Sequence, residues 1–276
     1  MRILIFSALA MFAVAANANE CKFSAERKLD INPNGLQALA FNLGSSDLHV
    51  QGVAGLAQIE VIGKACASEQ DRLSGLTVTQ QRDGDVVTVT PNQAGERSFR
   101  LFGSSYAYID LDVRVPTTLP IRVRTHSGDA TIADVAALDF DSHSGDLILD
   151  RSSGAVGVSV HSGDVKAQDI GALEVRRSGS GDVQASRIHG AVEIGHVGSG
   201  DLRFDDVDQG VHVQSVGSGD VSINRAGANV TIDAIGSGDV SVANVGGDFT
   251  VKSAGSGDIH HRNVKGRVDV PRRDDD

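Results

Sequence analysis

The sequence predicts an all-β fold, a single-stranded, right-handed β-helix (β-solenoid) with coils of about 19 residues. Three features predict it: a tripeptide that recurs at a nearly fixed spacing, apolar residues that align between its copies, and a long stretch without proline. The tripeptide Ser-Gly-Asp occurs eight times, and its aspartates lie 17, 18, 18, 19, 19, 19 and 19 residues apart. These aspartates are Asp129, Asp146, Asp164, Asp182, Asp201, Asp220, Asp239 and Asp258.

Apolar residues fall at the same offsets from the aspartate in successive coils. In one coil they are Leu202, Phe204, Val207, Val211 and Val213, and the neighbouring coils repeat the pattern. Within each short run the apolar residues alternate with polar ones, which is typical of a strand that buries one face. One coil cannot bury enough surface alone, so we expect the coils to fold as a stacked array.

The distribution of proline divides the chain. No proline occurs between Pro120 and Pro271, as expected for a continuous hydrogen-bonded ladder, because proline lacks the N–H donor. We therefore predict irregular N-terminal β coils and a cap over residues 19–120, a regular solenoid over 121–270, and a charged C-terminal tail over 271–276. The stretch Gly44–Asp47 looks like a degenerate copy of the repeat within the cap.

The N-terminus has the pattern of a secretory signal peptide. Met1-Arg2 precedes an apolar run from Ile3 to Ala16, and Ala16-Asn17-Ala18 is a small-x-small cleavage site. We assign residues 1–18 to this peptide and expect a periplasmic or secreted protein. The run is too short to cross a membrane as a helix, so we expect no membrane span.

The cysteine content predicts a disulfide, and the net charge limits the classes of binding partner. Cys21 and Cys66 are the two cysteines, and in an exported chain they predict one disulfide. Two buried free thiols are the alternative. The net charge of -11 disfavours nucleic acid and anionic membrane surfaces as partners but tolerates cations.

The aspartate column has two interpretations. In the first, the repeat is turn chemistry: glycine accepts a positive φ, and serine and aspartate bond nearby backbone N–H groups. In the second, stacked carboxylates bind calcium, which would relieve their mutual repulsion. Calcium requires six to eight oxygens around one point, and each coil offers one aspartate. We therefore favour the structural interpretation.

A histidine column is the second candidate site. His126, His143 and His161 each stand three residues before a repeat aspartate, where the later coils have glycine. In a stacked solenoid these imidazoles would form a column, and neutral histidine is a common ligand of zinc, copper and nickel. The alternative is an exposed stack without a ligand. The remaining solenoid histidines, which we interpret as surface residues, include His189, His196, His212 and His260.

Three segments connect the chain to a known family. They are Gly44–Val50, the run Val113–Asp129 with its Val-Arg-Val-Pro and Arg-Thr-His-Ser-Gly-Asp motifs, and the tandem Gly-Ser-Gly-Asp coils. Over residues 44–270 the chain resembles the bacterial putative-adhesin domains of unknown function. The resemblance implies an exported β-helical protein with a role at the cell surface, and it supplies no catalytic residues.

The sequence gives little support to an enzyme. The coils have short, equal turns without the insertions that build a cleft around a local cluster of acids and bases. We expect a non-catalytic, monomeric cell-envelope protein without a resident cofactor, which presents a rigid acidic surface to an envelope or surface partner. The alternatives are a protein that binds or senses a divalent metal through its histidine or aspartate column, and a passive structural filler.

Overall fold

The computed structural model describes residues 21–93 and 106–271, and it confirms a β-solenoid. The described residues contain 22 strands and one short helix, α1 (Gln70–Leu73). The hand of the coil stays a prediction. The signal peptide predicted for residues 1–18 lies outside the described residues, as does the predicted tail beyond Pro271.

The N-terminal part contains seven strands. They are β1 (Phe23–Ile31), β2 (Ala38–Asn42), β3 (Leu48–Val53), β4 (Ile59–Ala67), β5 (Leu76–Asp83), β6 (Val86–Gln93) and β7 (Ala107–Pro116). β2 and β3 form the first coil of the solenoid, because β2 pairs in parallel with β8 (Ile121–Thr125) and β3 with β9 (Ala130–Val135). The degenerate repeat Gly44–Asp47 is thus the corner of this coil.

The cap is inserted between the first coil and the second. After β3 the chain forms β4 to β7 before it returns to the solenoid at β8. β6 and β7 stack on the far side of β2 and β3, and β4 pairs antiparallel with both β1 and β7. The predicted disulfide between Cys21 and Cys66 is present, with the two Cα atoms 5.6 Å apart, and it ties the chain just before β1 to β4.

The regular coils each contribute two strands. Those that follow β9 are β10 (Leu138–Ser142), β11 (Leu147–Val160), β12 (Val165–Ser178), β13 (Val183–Ile188), β14 (Val192–Val197), β15 (Leu202–Val207), β16 (Val211–Val216), β17 (Val221–Ala226), β18 (Val230–Ile235), β19 (Val240–Val245), β20 (Phe249–Ala254), β21 (Ile259–Val264) and β22 (Val268–Asp269). β11 and β12 each run through both halves of a coil.

The strands form two parallel stacks. The front stack holds the strand that follows each aspartate: β3, β9, the first halves of β11 and β12, β13, β15, β17, β19 and β21. The back stack holds β2, β8, β10, the second halves of β11 and β12, β14, β16, β18, β20 and β22. Equivalent residues pair directly, as Val183 does with Leu202, so each column of the repeat is stacked on itself.

The core is the inside of this coil. The aligned aliphatic residues are buried, and Phe41, Phe140, Phe204 and Phe249 are among the largest side chains with no significant exposure. In the last described coil the inward positions lose this cover, and Val268 is 39% exposed. The described residues therefore cap the solenoid at its N-terminal end and leave the C-terminal coil open.

Coil length varies at two places. Two residues separate Val135 from Leu138 where the chain passes from front to back, whereas three separate Ile188 from Val192. In the back strand of the coil that follows Asp164, Arg176 is an extra residue that has no paired equivalent in the preceding coil. Coils with neither insertion have 17 residues, and the two insertions together give the regular 19.

The repeat glycines are required for a reason other than the predicted one. The expectation that they adopt positive φ is wrong for the regular coils, because positive φ among described glycines is confined to Gly35, Gly44, Gly55 and Gly84. Instead, successive coils approach each other closely at the glycine before each aspartate. A Cβ atom on Gly200 would lie 2.0 Å from the carbonyl oxygen of the glycine one coil earlier.

We predict that Gly200→Ala lowers the free energy of unfolding by about 3 kcal/mol, because the new methyl group must push two backbones apart. The matched control is Ser199→Ala in the same turn, which removes an exposed hydroxyl and should change stability by at most about 0.5 kcal/mol. Urea denaturation followed by circular dichroism measures both. Equal stability of the two variants would contradict the close-packing explanation.

Candidate functional site

The repeat aspartates form a hydrogen-bonded column along one corner of the solenoid. From Asp129 to Asp239, one carboxylate oxygen of each aspartate accepts the backbone N–H of the aspartate in the next coil, as Asp182 Oδ1 does from Asp201 N at 2.9 Å. The column starts in the first coil, where Asp47 Oδ1 accepts from Asp129 N at 2.9 Å although 82 residues separate them. Asp110 of the cap supplies the rung before, and burial raises the pKa of this carboxyl group.

The second carboxylate oxygen of each aspartate gives this corner its negative charge. The repeat aspartates are exposed, apart from the half-buried Asp182. Within residues 21–93 and 106–271, no group of three or more histidine, cysteine, aspartate or glutamate side chains is arranged to hold a metal ion. The corner is therefore a straight line of single carboxylates, one per coil, each held in place by a backbone bond.

The three predicted histidines stack on one another. The ring centroids of His126 and His143 are 4.9 Å apart with planes within 1°, and those of His143 and His161 are 4.9 Å apart with planes within 9°. Nitrogen lone pairs lie in the ring plane, so parallel rings direct them in parallel. Two such rings cannot share an ion at the usual zinc–nitrogen distance of about 2.0–2.1 Å without rotating. The metal site stays a prediction.

The end of the histidine column has a steric explanation. At Gly179 a Cβ atom would lie 2.2 Å from the carbonyl oxygen of His161, and the glycines at this position in the later coils are similarly close to the coil before. A further histidine cannot fit on such a backbone. The change from histidine to glycine therefore marks a change in the local backbone of this corner.

A second ladder, which the sequence reasoning missed, runs along the corner after the front strand. It consists of the residues five positions after each aspartate, which adopt positive φ without being glycine: Asp134, Arg151, Asp169, Arg187, Asp206, Arg225, Asn244 and Asn263. Acid and base alternate along its first six members. The alternation is visible in the sequence once this column is examined, and it is the signal that could have revealed the ladder.

Neighbouring members of this ladder bind each other. The guanidinium of Arg151 donates to both carboxylate oxygens of Asp134, at 2.6 and 2.9 Å, and it lowers the pKa of that carboxyl group. Arg225 pairs in the same way with Asp206 and lowers its pKa. A left-handed conformation costs about 1 kcal/mol for a residue such as arginine, and these ion pairs offset part of that cost.

Two histidines interpreted as isolated surface residues connect three coils each. His189 Nε2 lies 2.8 Å from Asp169 Oδ1, and its Nδ1 lies 3.1 Å from Asp208 Oδ2. His212 lies 3.0 Å from both Glu193 and Asp233. They are on the surface, as expected, but each one bridges two carboxylates that come from the coils before and after its own.

These contacts raise the pKa of both histidines. For His189 the hydrogen bond to Asp169 has the larger effect and that to Asp208 follows; for His212 the order is Asp233 and then Glu193. Asp233 also binds the ammonium group of Lys252 at 2.8 Å, and these cations lower its pKa. The back of the solenoid thus carries a polar network across four coils.

The outward side of the front stack, which we call the front face, carries two shallow grooves. The first, of about 350 Å³, is lined by residues that include Ile148, Lys166, Gln184 and Arg203. The second, of about 460 Å³, continues from Arg203 towards the C-terminal end and includes Ser222, Ser241, His260 and Arg262. Arg203 and Asp205 line both, so the two grooves form one continuous depression.

The repeat architecture agrees with a sequence family. The Toastrack DUF4097 family model matches residues 32–274. The chain belongs to this family. The match includes the first coil, the inserted cap and the regular coils, so the Toastrack domain accounts for nearly all of the described structure. A search of curated proteins gives no significant match.

Solved structures share the fold at low identity. A structure from Parabacteroides distasonis, described as a putative lipid-binding protein, is 14% identical with a TM-score of 0.54 and covers 90% of this chain and 97% of its own. A putative adhesin from Bacteroides fragilis is 15% identical with a TM-score of 0.39 and covers 91% and 98%. At such identities a likeness bears on the fold alone. Among the described residues, no helix has the length and apolar character needed to cross a membrane.

The aspartate column predicts different effects for two substitutions at Asp201. Asp201→Ala removes the acceptor of the Asp220 N–H and should lower the free energy of unfolding by about 1 kcal/mol. Asp201→Asn keeps an acceptor oxygen and removes one charge from a column of like charges, so stability should be unchanged or higher. Asn229, whose Oδ1 accepts from Asp248 N at 2.8 Å, shows that asparagine can form this bond. Thermal melting of the two variants measures the difference, and equal loss in both would contradict the ladder.

The bridging histidines predict a pH-dependent stability. Their pKa is raised on folding above the usual value of about 6.5, so their contribution is complete below that pH and is lost as the pH rises through the folded pKa. The melting temperature of the double variant His189→Asn, His212→Asn should fall below that of the wild type at about pH 6, and the gap should close by about pH 9.

The control for this experiment is His196→Asn. His196 lies on the same surface, its Nδ1 is 2.7 Å from the hydroxyl of Ser215, and none of the carboxylates in the described ranges pairs with it. Its substitution should change the melting temperature by a similar amount at both pH values. A gap for the double variant that does not depend on pH would argue against protonation of the bridging histidines.

Proposed function

We propose that this Toastrack protein is a non-catalytic, exported cell-envelope protein that uses its rigid acidic corner to bind a partner. The observation that carries the proposal is the aspartate column. One oxygen of each carboxylate is fixed by a backbone N–H of the next coil, and the other faces outward at every step. A fixed row of charges favours a partner with a complementary basic surface.

The chemistry of the corner supports binding rather than catalysis. Acid–base catalysis uses paired groups whose surroundings push their pKa values apart. The carboxylates of this column share one environment and one hydrogen-bonding pattern. The disulfide between Cys21 and Cys66 supports export, since disulfides persist in oxidising compartments, and it agrees with the signal peptide predicted for residues 1–18.

The test measures the binding of the mature protein to an isolated envelope fraction by co-sedimentation. The triple variant Asp182→Asn, Asp201→Asn, Asp220→Asn keeps the acceptor oxygens and removes three charges. It should fold as the wild type does, with clearly weaker sedimentation. Binding should also weaken when salt is added, because exposed charges are screened over about 10 Å at 0.1 M ionic strength.

A second triple variant controls for net charge. Asp30→Asn, Asp141→Asn and Glu174→Gln remove the same number of charges from exposed positions away from the corner. It should bind as the wild type does. Equal losses in the two variants would show that total charge rather than the corner governs binding, and equal retention in both would contradict the proposed role.

A further inference from the structure

The front face differs from the acidic corner in its charge. The outward residues two positions after each aspartate run along this face, and from β11 to β21 they are Ile148, Lys166, Gln184, Arg203, Ser222, Ser241 and His260. This column contains cations and no acid, in a chain with 36 acidic and 25 basic residues. It forms one side of the continuous depression.

The cations of the front face are left unpaired, whereas its acids are not. In the described part of the chain, Lys166, Arg203 and Arg262 have no hydrogen-bond or ion-pair partner. Asp150 pairs with Arg151, and Asp205 accepts from Asn224 at 2.9 Å and lies 4.0 Å from Arg225. The arginines of the second ladder, which runs along the neighbouring corner, thus balance the charge of the acids on this face.

The depression is long and narrow. From Lys166 to Arg262 it crosses six front strands, which is about 24 Å at a strand spacing of about 4.8 Å. Between the cations its floor carries small or polar side chains, among them Gln184, Ser222 and Ser241. An extended ligand could therefore reach several cations and the intervening amide and hydroxyl groups at once.

The chemistry of the face selects the kind of partner. The backbone groups of β15, β17 and β19 are bonded to strands on both sides, so a peptide cannot add here as another strand. Recognition must come from side chains, which offer positive charges, amides and hydroxyls. These groups complement a chain that carries both negative charges and many hydroxyl groups.

We propose that the front face binds a linear acidic polysaccharide along the solenoid axis, with its acidic groups beside Lys166, Arg203 and Arg262. This goes beyond the function proposed for the acidic corner, because it concerns another surface and a partner of opposite charge. No phenylalanine, tyrosine or tryptophan stands among the residues that line the two described grooves. Binding therefore depends on charge and hydrogen bonds, and it increases with chain length through repeated contacts.

The experiment measures binding of the full mature chain to oligogalacturonates by isothermal calorimetry at low salt. Oligomers long enough to span the depression should bind more tightly than oligomers of half that length, and added salt should weaken both. Neutral dextran should not bind. A failure of oligogalacturonate to bind at low salt would overturn the proposal, as would tighter binding of polyglutamate, which would indicate an acidic peptide instead.

Two variants locate the site. The double variant Lys166→Ser, Arg203→Ser introduces the residue type already present at Ser222 and Ser241, and it should weaken binding roughly fivefold. Ser241→Glu, which places a carboxylate on the floor, should also weaken binding. The control is Arg124→Ser, Arg177→Ser, which removes two arginines of the back stack whose side chains have no partner among the described residues, and it should leave affinity unchanged.

The outcomes separate this proposal from that of the acidic corner. Equal loss in the front and back variants would show unspecific attraction to positive charge and would overturn a defined site. The triple aspartate-to-asparagine variant of the corner should bind oligogalacturonate at least as well as the wild type. Loss of binding in that variant would place the polysaccharide on the corner and contradict the front-face site.

Discussion

The structure depends on coils that stack in register with their backbones in contact. At the glycine before each aspartate the next coil passes so close that a single methyl group would overlap a carbonyl oxygen, 2.0 Å away at Gly200. This contact fixes the spacing for both stacks, since every strand must then pair with its equivalent one coil away. Equivalent residues of adjacent coils are consequently direct neighbours. A side chain is tolerated only if it can lie beside the same residue type or beside one of complementary charge or shape.

Each polar column meets this requirement in its own way. Two carboxylates about 4.8 Å apart repel by roughly 0.9 kcal/mol even in bulk water, and the aspartate column compensates by accepting a backbone N–H at every step. The second ladder avoids the repulsion by alternating acid with base, as in Asp134 and Arg151. The histidines stack face to face. The same stacking geometry is therefore accommodated in three chemically different ways on one molecule.

Sequence periodicity was sufficient for the parts of the fold in which the repeat is regular. It predicted the stacked coils, the inward aliphatic columns and the role of Gly44–Asp47 as an early copy. It could not show that the cap is inserted after the first coil, because a gap of 82 residues between Asp47 and Asp129 carries no sign of their contact. From the repeat alone we also attributed the glycines to positive φ. Close approach between coils selects glycine as well, so the residue preference does not distinguish the two causes.

The candidate surfaces differ in how strongly neighbouring coils constrain their residues. The inward columns and the corner columns are constrained by their neighbours, so they repeat, and their repetition reveals the fold. The outward columns of the front and back faces have no such constraint, and there the residue changes from coil to coil, as from Lys166 to Gln184 to Arg203. Contacts such as that of His212 with Asp233 join residues of adjacent coils that are 21 positions apart, and the sequence did not predict them. In a solenoid, specificity can therefore be placed on an outward column without disturbing the ladder, which is why we assign a second binding surface to the front face in addition to the acidic corner.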